Sequence, residues 1–239
     1  MLLRRISAHV RAENWFAVGV DLLVVVVGLF IGLQVDTWWE EQKEAQIEVV
    51  YLQEIREDFE ANQANLQSET RKLENIIRAM IVLHEQSVLD APSLSAVELN
   101  ENFSEINDMP TFVVTNRAYI NLTGSGDLKL IQNRKLKNAM ANYYAAAELV
   151  SIVHATHEMD LVQSFQPYII ENLDFAAVKK DLVDDFPLGA SNDEGRILEV
   201  LATREFRNTV VLKWVICTDL LDQFRGMLER TDEVLAMLE

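Results

Sequence analysis

FAVGVDLLVVVVGLFIGLQV, Phe16 to Val35, is a run of twenty residues with a single charge, Asp21. Coiled as a helix at ~1.5 Å per residue, such a run matches a hydrocarbon core of ~30 Å. Trp15 stands before it, and Trp38 with Trp39 after it, where amphipathic rings settle at the two headgroup layers. The stretch predicts a transmembrane helix over residues 15–39, with the lipid bilayer as the chain's first partner.

The flanks orient it. Arg4, Arg5 and Arg11 precede the run against only Glu13, whereas Asp36, Glu40, Glu41 and Glu44 follow it against Lys43. Basic flanks stay in the cytoplasm, so residues 1–14 are expected to be cytoplasmic and residues 40–239 extracytoplasmic. A cleaved signal peptide has a shorter apolar region and a small-x-small exit. LQVDTWWEEQ offers no such site, and the segment reads as an uncleaved signal anchor.

Beyond the span, no Gly or Pro occurs from Leu33 to Ala91. Within that stretch Leu52, Ile55, Phe59, Asn62, Leu66, Glu69, Leu73, Ile76, Met80 and Leu83 alternate steps of three and four, and all but Asn62 and Glu69 are apolar. This heptad stripe belongs to a long helix packed in a bundle or coiled coil. The span is expected to run on into it as a stalk, ending near Asp90-Ala-Pro92-Ser.

Ser95 with Glu98 forms a capping box for a short helix, and Asn107 to Pro110 reads as a loop. Thr115 is expected to cap another short helix that stops at Gly124-Ser-Gly126. Asn133 caps a long one reaching Gln166, before Pro167, with the stripe Leu136, Met140, Tyr143, Ala147, Val150, His154, His157 and Leu161. A loop over 187–195 precedes the last helical region, where Cys217, Leu221, Phe224, Leu228, Thr231, Leu235 and Leu238 repeat the spacing. No segment alternates apolar and polar residues in a sustained way. The fold class is therefore all-α: one N-terminal transmembrane helix continuing into an antiparallel helical-bundle ectodomain of three long helices and several short ones.

The net charge of −17 is unevenly placed, since residues 1–20 carry +2 and the region after the span carries −18. A surface that acidic repels polyanions, and nucleic acid is not an expected partner. Cys217 is the only cysteine, so no intrachain disulfide exists, and its place on an apolar stripe makes it a small buried hydrophobe. The acidic face of Glu54, Glu57, Asp58 and Glu60 reads as a solvated helix surface.

Two segments resemble an uncharacterised family of bacterial single-span inner-membrane proteins, a domain of unknown function. They are DLLVVVVGLFIGLQVDTWWEEQ with YLQEIREDFEAN, and FVVTNRAYINLTGSGDLKLIQNRKLKNAMANYY. Asp21 sits where that family carries an acid, seven residues before Gly28, and Trp39 stands where the family often has Asn. The resemblance implies a bacterial inner-membrane protein and supplies no known activity.

Two sets of residues could carry function. At ~100° per residue, Asp21, Val25, Gly28, Gly32 and Val35 fall on one face of the span with Trp39, and Gly28-Leu-Phe-Ile-Gly32 is a GxxxG that permits close approach of a second helix. Asp21 is then either interhelical glue in a homo-oligomer or with another membrane protein, or an ion site shared with a membrane subunit. The second outline resembles the single-span subunits of flagellar-stator and Ton/Tol energiser complexes, whose periplasmic parts are mixed α/β and not all-helical. His154, His157 and Glu158 share one helical turn, and with His84 they are weak metal candidates. The expected state is bundle-core histidines with no metal and no cofactor, since no HExxH occurs.

The leading expectation is a non-catalytic assembly, scaffold or sensor protein acting through its helical domain and its transmembrane contacts. The alternative is an ion-coupled accessory subunit using Asp21, and the third is a metal-dependent periplasmic enzyme. A small-molecule ligand cannot be named from sequence.

Overall fold

The computed structural model describes residues 15–174 and 194–239. The 1–14 segment and residues 187–193 of the expected loop lie outside the described residues. The chain is all-α, with no strand among the described residues.

Helix α1 runs unbroken over Trp15–Ser87, 73 residues and ~110 Å at a helix's rise per residue. The span continues into the stalk without a linker, because nothing from Leu33 to Ala91 breaks it. Its stripe is the spine of the core: Ile55, Phe59, Leu66, Leu73, Ile76, Met80 and Leu83 are buried, and so are the two polar members Asn62 and Glu69.

Helix α2, Ala96–Ile106, starts at the Ser95–Glu98 capping box, both halves of which form. Helix α3 covers Arg117–Ser125 and stops at Gly126, whose φ of +79° only glycine adopts without strain. After a 3-10 turn at Asp127–Lys129, helix α4 covers Arg134–Asp160. Its N-cap is Asn133, whose side-chain oxygen accepts from the Lys135 and Leu136 amides at 3.0 and 3.2 Å.

The structure corrects the expected end of this helix. One π turn, Leu161–Phe165, carries the chain past Asp160 into helix α5, Gln166–Asn172. Pro167 stands in the first turn of α5, where a missing N–H costs nothing, and the π turn closes through the Gln166 amide on the Leu161 carbonyl. Helix α6, Glu194–Leu201, contains the Gly195 expected in a loop. Helix α7, Arg204–Ala236, is capped by Thr203, whose hydroxyl accepts from the Phe206 amide.

Helix α7 descends against α1. Its contacts pair Arg207 with Ser87, Arg225 with Glu74, Asp232 with Gln63 and Leu238 with Arg56, so rising numbers on one helix meet falling numbers on the other. Helix α4 ascends between Glu48, which accepts from the Gln132 amide, and Asp219 of α7 near His157. The layout is up, down, up, down, with an irregular second pass: residues 107–116 and the short α3 descend where a helical bundle places a full helix.

The core line of α7 is also shifted from expectation. Phe206, Val210, Lys213, Cys217, Leu220, Phe224, Met227, Thr231 and Val234 are buried at heptad spacing, while Leu228, Leu235 and Leu238 are half-buried at its margin. Lys213 hides the true line, since a charged residue there interrupts the apolar pattern.

Candidate functional site

The first candidate surface is the span. Trp15, Val25, Val35, Trp38 and Trp39 are exposed, and the apolar window of the helix has no part buried in the bundle. The helix is long and apolar enough to cross a membrane. A Cβ added at Gly28 or Gly32 would meet nothing within 4 Å. Asp21 is half-buried on this face, and the Trp38 and Trp39 rings meet edge to face at 5.5 Å. The predicted contact residues thus share an uncovered helix surface.

The second candidate is the irregular pass, held like a strap. Asn62 grips both backbone groups of Thr115: its amide nitrogen donates to the Thr115 carbonyl at 2.8 Å, and its oxygen accepts from the Thr115 amide at 2.7 Å. Seven residues along α1, Glu69 accepts from the Thr111 amide at 3.2 Å and from Lys72 at 2.6 Å. One turn below Asn62, Asp58 accepts from the Ala118 amide at 2.8 Å. That bond does what a helix cap does, from another helix. Thr115 is therefore not the cap expected of it; Asn116 holds the N-cap position and makes no side-chain cap bond.

Asp58 is also no solvated surface acid, being 2% exposed, with Arg117 at 3.6 Å as its counter-charge. The physical reason is the strap itself. A chain that pairs with no other strand leaves amides unsatisfied, and buried carboxylate and carboxamide groups on α1 satisfy those of Thr111, Thr115 and Ala118.

Lys213 holds the strap from the opposite side. Although 2% exposed, its ammonium donates to the Ile106 carbonyl and to the Asp108 carbonyl at 3.1 Å, and it lies 4.3 Å from the centre of the Phe165 ring. The carbonyl end of α2 carries partial negative charge that a cation offsets. From α4, the His154 Nε2–H donates to the Pro110 carbonyl at 3.1 Å.

Beside the strap lies a groove of about 570 Å³, walled by residues 111–123 and by α4 from Tyr144 to His154. Tyr119 and Tyr144 stack at its lower end, ring centres 4.3 Å apart, and Phe112 leans on Phe224 at 6.2 Å. Burial holds the phenols of this core protonated: the Tyr143 hydroxyl is pushed up to about 12 despite Thr231 pulling it down, and burial with the Asp58 charge raises that of Tyr144 as well.

The remaining candidates are placed one by one. His157 faces Asp219 at 3.6 Å, His154 is engaged by the strap, His84 is half-buried near the top of α1, and Glu158 is exposed. Among the described residues no three His, Cys, Asp or Glu side chains converge as a metal site requires. Cys217 is buried, and burial pushes its thiol up to about 11, with Lys213 acting the other way. At neutral pH it is a thiol, not a nucleophilic thiolate.

Sequence reasoning missed Asp58, Asn62, Glu69 and Lys213, which hold the strap together with His154. One signal was available: two of them interrupt an otherwise apolar heptad stripe, and a polar residue in a core position implies a buried partner. Compared with protein families, with curated proteins and with solved structures, the chain matches none.

Proposed function

We propose that the chain is a bacterial inner-membrane protein, N-terminus cytoplasmic and helical domain periplasmic, that works as an assembly, scaffold or sensor subunit through protein contacts. The observation that carries this is the continuity of α1. One rigid helix presents the Asp21–Gly28–Gly32 face within the apolar span and, further along, the stripe on which α2, the strap and α7 are hung. A rotation of the span turns that spine with it. The resemblance of the span and of residues 112–144 to the uncharacterised single-span family supports the compartment, and the basic-before, acidic-after flanks support the orientation.

Two experiments test the reading. A phosphatase fused after Glu239 should be active only if the domain lies outside the cytoplasm; activity confined to a cytoplasmic reporter would overturn the topology. Coupling is tested by register. Inserting one alanine after Gln42 turns the span ~100° against the bundle, whereas a heptad of alanines nearly restores the phase. A photocrosslinker at Gly32 and another on the bundle should both lose their products in the first variant and regain them in the second. Equal yields in all three proteins would show that span and bundle act separately.

A further inference from the structure

The strap is an extended segment that no strand pairs with. Thr111 and Thr115 reach Glu69 and Asn62, which lie seven helical residues apart. Four strap residues thus cover ~10 Å of helix, about 2.6 Å each, far above the 1.5 Å of a helix and approaching the 3.3 Å of a strand. Exposure alternates along it as in a strand: Thr111 and Val113 are exposed, whereas Phe112 and Val114 are half-buried. Its residues, Thr-Phe-Val-Val-Thr, are strand formers.

Its two edges are not equivalent. Thr111 and Thr115 direct their amides at α1. By the alternation of a strand, the backbone groups of Phe112 and Val114 point the opposite way, along the groove. Among the described residues, neither the N–H nor the C=O of Phe112, Val113 or Val114 has a hydrogen-bond partner, and of these Phe112 and Val114 fall, by the same alternation, on the groove edge. That edge carries two donors and two acceptors at the spacing of a β-ladder.

The groove fits what such an edge pairs with. From Tyr144 to His154 its α4 wall is ~15 Å long, the length of four or five extended residues. Its lining includes no Lys or Arg and one carboxylate, that of the exposed Glu148, in a chain of net charge −17. We propose that this edge is a peptide-docking site, where an extended segment of a partner protein, with apolar side chains at alternate positions and a Lys or Arg opposite Glu148, adds a strand to the strap. Backbone pairing supplies the affinity, and the lining aromatics with Glu148 select the sequence. The inference deepens the contact function proposed above, yet it needs only the bundle, so its failure would leave the span and topology tests untouched.

The test titrates the full chain in detergent micelles with fluorescent, end-blocked Val-Thr-Val-Lys-Val-Thr-Val. The expected result is saturable binding, weakened about tenfold when the Lys is replaced by Glu, and lost when alternate peptide amides are N-methylated. Val114→Pro, which deletes a donor of the free edge, should abolish binding. Glu148→Lys, at an exposed site where folding is not at stake, should reverse the preference for the Lys peptide over the Glu peptide. Undiminished binding of the N-methylated peptide, or no binding by any of them to the folded protein, would overturn the proposal. So would a Val113→Cys protein that crosslinks copy to copy through the strap and resists competition by the Lys peptide, since the occupant would then be a second copy of this chain.

Discussion

Phe16–Val35 and Leu52–Leu83 belong to one helix, yet they solve opposite problems. In the lower part every large apolar side chain but Val18 is exposed and the polar Asp21 is half-buried; in the upper part the apolar stripe from Ile55 onward is buried and four polar residues, Asp58, Asn62, Glu69 and Thr70, are buried with it. In the proposed membrane span lipid would be the solvent that makes the first arrangement stable, because an apolar helix satisfies its own backbone and needs no neighbour. Water drives the second, and there the cost of enclosing a polar group falls only where a partner backbone meets it. On that proposal, burial of a residue along α1 reports which solvent its stretch faces, more than the residue's own polarity.

The comparison breaks most visibly by truncating one aromatic residue in each part. Phe59 is fully buried between the Tyr143 and Tyr144 rings, at 4.7 and 5.9 Å. Phe59→Ala should cost the bundle about 3 to 5 kcal/mol, read as a lower midpoint in chemical unfolding. Phe30→Ala, in the span, should leave that midpoint unchanged. If both shift it equally, the span packs on the bundle and the two parts are not independent.

Next come the polar members of the stripe. Asn62→Leu removes a matched donor and acceptor from Thr115 and should destabilise by about 2 kcal/mol despite the added apolar surface. Asn75→Leu, on the exposed side of the same helix, should stay within about 0.5 kcal/mol of wild type. A neutral Asn62→Leu would mean that the strap finds water at no cost.

These polar positions also mark the limit of what sequence discloses. The stripe from Ile55 to Leu83, the Ser95–Glu98 and Asn133 caps and the stop at Gly126 are local: each depends on residues within a turn or two of one another, and periodicity or cap chemistry exposes them. Asp58, Asn62 and Glu69 are paired with backbone groups 60, 53 and 42 residues away. No local pattern distinguishes Asp58 from the solvated acids beside it. Lys213 is hidden in the same way, because a cation that rests on the carbonyl end of α2 looks in sequence like the outer face of α7. The strand-like strap was hidden by its shortness, since five residues of β-forming type among helices show no sustained alternation.

The lower part is probed by size. Gly28→Leu or Gly32→Leu should weaken self-association or partner capture in membranes by ~1 kcal/mol, as close backbone approach is lost. Leu29→Ala, on a different face, should have no such effect. Crosslinking yields that fall equally for all three, or for none, would move the contact to another face.

The smallest effect lies at the bottom of the bundle, near where the two parts meet. Tyr51 of α1 donates its hydroxyl proton to Asp127 at 2.8 Å. This bond lowers the Asp127 carboxyl from its ordinary 3.8, with Ser125 helping, and raises the Tyr51 phenol from its ordinary 10.0. The depressed carboxyl stabilises the fold above pH 3.8, and its contribution is lost as pH falls through the lower folded-state value; the raised phenol contributes below pH 10.0, and its share is lost as pH climbs through the higher folded-state value. Both groups are half-buried at the surface of the bundle, within reach of water, which keeps the contribution small and salt-sensitive. Tyr51→Phe should therefore lower the thermal midpoint slightly across the neutral range, and the gap from wild type should close at both acidic and alkaline extremes. A gap that is flat from acid to alkali would show that Tyr51 contributes by ring packing alone, and that the hydrogen bond adds nothing to the join between α1 and the turn before α4.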